Sequence, residues 1–200
     1  MRSRQVEIFC EDEGREVVVG SLVLRLADEA EIGVELHAAS VRGGHGKALT
    51  ELEEFIGEMR HGRRHQPDLL VVAIDANCFG YTDKKSEILR ILGDYSSIAV
   101  CAIPDPHVER WLLVDSGAFK TAVGRGCMAP DAKCEKDRYK VLLAQAVRDA
   151  GRQPLIRGLE HSEAIVKSMD LGASECADSS LGAFIGDLRA VFSGWLLDDA

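Results

Sequence analysis

Three short apolar segments in this chain run directly into acids. Glu11 closes Val6-Glu7-Ile8-Phe9-Cys10, and Asp75 closes Leu69-Leu70-Val71-Val72-Ala73-Ile74, with Asn77 two residues on. Asp105 and Glu109 follow Ile98–Ile103 and stand four apart. A run of β-forming residues that stops at an acid reads as a buried parallel strand with a carboxylate at its C-terminal tip. In open α/β sheets, ligands sit beyond those tips. Carboxylates and an amide oxygen gathered there make a hard, oxygen-lined pocket of the kind that holds Mg²⁺.

Each of these residues also has a structural use. Glu11 stands among Glu7, Asp12, Glu13 and Glu16 and reads equally as a solvated loop acid. Asp75 lies too early to cap the helix that begins near Thr82, and a buried carboxylate is costly without a cation or several donors. Asn77 points to the same side as Asp75 if the backbone stays extended, or it forms a turn. Asp105 and Glu109 share one face of a helix start, where acids suit the helix dipole. His107, between them, reads as a general acid or base or as a surface histidine.

Basic residues fall in three places. Arg125, Lys133, Lys136, Arg138 and Lys140 follow the Glu109 helix, where they could meet phosphates or form a mixed-charge helix face. The cluster from Arg60 to His65 precedes the third strand, at the opposite end of the sheet, and reads as solvated surface. The glycine-rich stretch Arg42–Lys47 lacks the spacing of a P-loop and reads as a flexible, phosphate-facing loop.

The elements that must position these groups alternate regularly. The pattern predicts strands over 6–10, 32–41, 68–74 and 98–103, with helices over 14–30, 47–60 and 82–94 between them. Such alternation implies an α/β fold with a mainly parallel, Rossmann-like sheet and helices on both faces. Past Ile103 the strands stop. Helices are predicted over 107–119, 138–150, 162–169 and 179–196. Residues 1–120 are read as the α/β domain, and 121–200 as a helical extension packed on it.

Composition narrows the function classes. At 200 residues and 46% hydrophobic, the chain can bury one sizeable core. No apolar run reaches the ~20 residues that span a bilayer. The basic start Met1-Arg2-Ser3-Arg4 is soon interrupted by acids and does not read as a signal peptide, so a cytoplasmic protein without a membrane partner is expected. The six cysteines include no Cys-x-x-Cys pair, and all are expected to be reduced. A net charge of −9 repels bulk DNA, so nucleic-acid binding would need a basic partner or a local basic strip.

The acids and their spacing resemble the TOPRIM domain of topoisomerases, primases and nucleases of the overcoming-lysogenization-defect type. That family has a strand ending in a catalytic Glu and a later strand ending in Asp-x-Asp. Here Glu11 matches the Glu and Asp75 the first Asp, while Asn77 stands where the second Asp would be. The stretch from Ile103 to Leu113, Ile-Pro-Asp-Pro-His-Val-Glu-Arg-Trp-Leu-Leu, is similar to the Pro-x-x-Glu-x-Trp-Leu signature of small stand-alone TOPRIM-like proteins, often encoded beside ATPases in antiphage loci. The resemblance covers roughly residues 5–115.

It implies a nuclease subunit that hydrolyses phosphodiesters in DNA or RNA with Mg²⁺ or Mn²⁺ and an ATPase partner. Glu11, Asp75 and Glu109 would be the catalytic metal ligands, with Asn77 and Asp105 supporting them. Arg125, Lys133, Arg138 and Lys140 would contact the nucleic acid. The alternative is a non-catalytic partner of an ATPase that keeps the fold and a degenerate acidic pocket.

Overall fold

The computed structural model describes residues 3–10, 12–40, 47–131, 133–135 and 137–198. Among them, four strands form one all-parallel sheet. The strands are β1 (Arg4–Cys10), β2 (Val34–Ser40), β3 (Leu69–Ala73) and β4 (Ala99–Ala102), in the order β2-β1-β3-β4. Helices α1 (Glu13–Glu29), α2 (Ala48–Arg60) and α3 (Tyr81–Leu92) connect them. Parallel neighbours need such crossovers, and the expected α/β architecture is observed.

Both faces of the sheet are covered, and the alternation of side chains divides them. On β3, Leu69, Val71 and Ala73 face one core cluster, while Leu70 and Val72 face the other together with Ile74. All five strand residues are buried. The smaller cluster lies under α2 and α3, where Phe9 packs edge-on against Phe55 at 5.4 Å. The larger cluster holds α1 and the C-terminal helices.

Those helices are α4 (Val108–Leu113), α5 (Ser116–Val123), α6 (Arg138–Asp149), α7 (Ser162–Ser168), α8 (Leu171–Ala177) and α9 (Ser179–Asp198). Leu181, Phe184 and Leu188 of α9 share that cluster with Val100 and Ala102 of β4. No helix among the described residues is long and apolar enough to cross a membrane.

Three local expectations are corrected. The single helix over 107–119 is two, because the Asp115 side chain accepts from the backbone N–H groups of Gly117 and Ala118 and starts a new helix. The short helix α8 lies in a stretch that the sequence pattern left unassigned. The expectation of six reduced cysteines also fails, since Cys78 and Cys134 form a disulfide with Cα atoms 5.6 Å apart. That spacing suits a disulfide, and a separation of 56 positions hid it from sequence spacing.

One hydroxyl ties α9 to the tips of the sheet. Ser180 Oγ accepts from Trp111 Nε1 at 2.9 Å and from the Asp105 backbone N–H at 3.1 Å, and it donates to Asp178 Oδ1 at 2.6 Å. Trp111 in turn stacks on Phe184 with centroids 5.7 Å apart. Ser180→Ala leaves the buried Trp111 donor and the part-buried Asp105 N–H without this acceptor, so it should cost about 2–6 kcal/mol, at 1–3 kcal/mol for each orphaned group. Urea unfolding with an unchanged m-value is the check.

Candidate functional site

The site forms where β1, β3 and β4 end. Cys10 pairs with Ala73 in the β1–β3 ladder, so the tips of these two strands are neighbours. Past the β3–β4 ladder the chains stay paired: the N–H groups of Ile74, Ala76 and Asn77 donate to Ala102, Pro104 and Pro106. This brings Asp75 beside the start of α4, which carries Glu109 and is preceded by His107.

Asp75 is fully buried. Its compensation comes from Arg15, a residue that sequence reasoning missed. Arg15 Nε donates to Asp75 Oδ1 at 3.0 Å, and Nη2 donates to Oδ2. His107 Nδ1 lies 3.1 Å from the same Oδ2. Burial alone would raise the Asp75 pKa. The Arg15 charge, with hydrogen bonds from His107 and Arg15, outweighs burial and holds the carboxyl below its ordinary range.

Arg15 is itself fixed locally. Asp12 caps α1 by accepting from the Arg15 backbone N–H at 3.0 Å, and its second oxygen accepts from Arg15 Nη1. A cation in the first turn of a helix opposes the dipole. That misfit was the available signal that an acid had to be nearby.

Glu109 is another buried acid at the site, 4% exposed. Its Oε2 is buried and has no hydrogen-bond partner among the described residues. Burial raises its pKa first and the Asp75 charge raises it further, while Lys140 and Arg15 pull it only partly back. Glu109 is therefore harder to ionise than an ordinary glutamate. His107, expected on the surface in one reading, is buried, and its ring meets Tyr139 edge-on at 6.1 Å.

The other candidates divide. Glu11 lies outside the described residues, directly after Cys10 in the sequence. Asn77 does not continue the strand. Its φ of 51° is left-handed, and Nδ2 donates to the Asp75 carbonyl at 3.1 Å. The extended backbone that would align it with Asp75 is absent, and the turn reading of this residue fits.

Asp105 Oδ2 accepts from the Tyr81 N–H at the start of α3, and the residue lines a separate cavity with Arg110 and Cys134. The sheet tip thus gathers Asp75 and Glu109 but gives Asp105 a structural role. Among the described residues, no three His, Cys, Asp or Glu side chains are grouped closely enough to hold a metal.

The four basic candidates are mostly engaged with groups of their own segment. Arg125 binds the Asp149 carbonyl at 3.0 Å, and Lys133 pairs with Asp131 at 3.1 Å. Arg138 pairs with Glu135 and Asp131. Of the four, Lys140 is the one whose charge bears on Glu109. Lys136 and the glycine-rich stretch 41–46 lie outside the described residues. In the Arg60–His65 cluster, Arg64 pairs with Glu7 at 2.8 Å and Glu58 at 3.2 Å.

These features define an α/β protein with a buried arginine–carboxylate–histidine cluster at its strand tips. No family model, curated protein or solved structure matches this chain.

Two expectations follow from this geometry. Arg15→Ala strands a buried carboxylate and should cost roughly 3–5 kcal/mol, the usual penalty for breaking a buried pair from one side. Adding Asp75→Asn should recover part of the loss, as thermal unfolding of the single and double variants will show. Glu109 is favoured as the acid in the folded state, so its stabilisation is full below the unfolded pKa of about 4.3 and is lost as pH rises through the higher folded value. The melting temperature of Glu109→Gln relative to wild type, measured in chelator, should therefore increase from about pH 4 toward neutrality. A flat difference would contradict the assignment.

Proposed function

We propose that this chain is a TOPRIM-like nuclease subunit that uses Mg²⁺ or Mn²⁺ to hydrolyse a phosphodiester, working with an ATPase partner in antiphage defence. The observation that carries this reading is the buried, unpartnered Oε2 of Glu109 beside Asp75 at the strand tips. A buried oxygen left without a donor beside a second carboxylate suits a hard cation.

Glu109, Asp75 and Glu11 would hold the ion. When bound, it would supply a Lewis acid that activates water and stabilises the leaving oxygen. Asp75 orients His107 through Nδ1, which leaves Nε2 as the nitrogen that exchanges a proton with substrate or water. Lys140 adds positive charge on the same side for a phosphate. The net charge of −9 is the reason the reading assigns most of the nucleic-acid affinity to the partner.

A second reading is favoured by one observation. Arg15 already occupies both oxygens of Asp75, so a guanidinium can stand in for the metal. In that case the chain is a non-catalytic partner of the ATPase with a sealed acidic pocket.

Metal-induced stabilisation separates the two. Under the nuclease reading, Mg²⁺ or Mn²⁺ raises the melting temperature of wild type and not of Glu109→Gln or Asp75→Ala, a stabilisation of about 2.7 kcal/mol at a concentration a hundred times Kd. The complex then cuts DNA or RNA in a metal-dependent way, and Glu11→Ala abolishes cutting while assembly persists. An equal metal shift in wild type and both variants, or cutting that survives Glu11→Ala and Asp75→Ala, leaves the second reading.

A further inference from the structure

A free thiol and a disulfide share one cavity, outside the acid cluster. The cavity measures about 410 Å³, and its walls include Arg110, Lys133, Cys134, Cys176 and Asp178. Cys134 is bonded to Cys78. Cys176, near the end of α8, is exposed and free.

The remaining free cysteines are poor candidates for thiol chemistry. Burial pushes Cys10 up to about 12, and Cys101 and Cys127 up to about 11. Thiols that hard to ionise are inert at neutral pH. Cys176 is thus the exposed free thiol among the described residues, and it opens onto the cavity that holds one sulfur of the disulfide.

We propose that this cavity is an internal thiol–disulfide exchange site, in which Cys176 takes Cys134 from Cys78. The Cys176 thiolate attacks Sγ of Cys134. A Cys134–Cys176 bond forms and the Cys78–Cys134 bond breaks. The electron pair leaves on the Cys78 sulfur, which takes up a proton from water to replace the one Cys176 released. One disulfide exists before and after, so neither oxidant nor reductant is consumed.

The local structure suits a sulfur with two partners. Cys134 lies outside any helix or strand. Cys78 belongs to the tight turn that follows Asp75 and Asn77, closed by the Phe79 N–H donating to the Ala76 carbonyl at 3.2 Å. In one form the disulfide clamps this strand-tip turn to the segment that leads into α6. In the other it clamps that segment to α8, and the turn loses its covalent tether. The exchange therefore sets how tightly the turn behind Asp75 is held, and it does so whatever chemistry the acids perform.

Disulfide mapping of the full chain tests this. Wild type is purified without reductant, held in mildly alkaline buffer, quenched with acid and N-ethylmaleimide, digested and mapped by mass spectrometry. Peptides joined through Cys78–Cys134 and through Cys134–Cys176 should both appear, and the second should vanish in Cys176→Ser. In Cys78→Ser oxidised with glutathione disulfide, Cys134–Cys176 should be the internal link, with circular dichroism confirming the fold. A wild-type map with Cys176 fully alkylated and only Cys78–Cys134 joined overturns the proposal. So does a folded Cys78→Ser protein carrying glutathione separately on Cys134 and Cys176. Should Cys78→Ser not fold, the wild-type map decides alone.

Discussion

The burial of Asp75 is the constraint around which the site is arranged. A carboxylate with no exposure needs a cation held at hydrogen-bond distance, and Arg15 provides it through two bonds. Arg15 sits in the first turn of the helix that follows β1. In a parallel sheet, the start of that helix lies at the same end as the tip of β3. Placing β1 directly beside β3 therefore brings the guanidinium to the carboxylate. His107 arrives from the other neighbour, β4, so three adjacent strand ends converge on one side chain.

This charge balance leaves Glu109 in an unusual position. Arg15, the buried cation that faces Asp75, also pairs with Asp12. A second carboxylate beside them meets a negative charge in a dry environment and shifts toward its acid form.

The sequence revealed the scaffold better than the partners. Three apolar runs and one alternating segment, with helical periodicity between them, specified the parallel sheet, because its inner strands are buried on both faces and read as hydrophobic stretches. The run before Asp75 marked that acid as the one most expensive to bury. Arg15 escaped notice because the contact spans 60 positions, and an arginine after a capping acid passes for a local pair. The sequence leaves Asn77 open between an extension of the strand and a turn, and its left-handed backbone selects the turn. The helix break at Asp115 was legible in principle, as an acid just before a Ser-Gly pair is a capping signal. The Cys78–Cys134 link was not, since no spacing rule connects two cysteines across separate loops.

The order of strands along the chain has a consequence for how the sheet is assembled. The central strand β1 comes first, then its edge neighbour β2, then β3 and finally β4. Each new strand adds to an edge that already exists, so during N-to-C synthesis the sheet can grow one ladder at a time without opening a formed one. Arg15 precedes Asp75, and Asp75 precedes Glu109, by the same order. The counter-charge is therefore in the growing fold before the first buried acid reaches it.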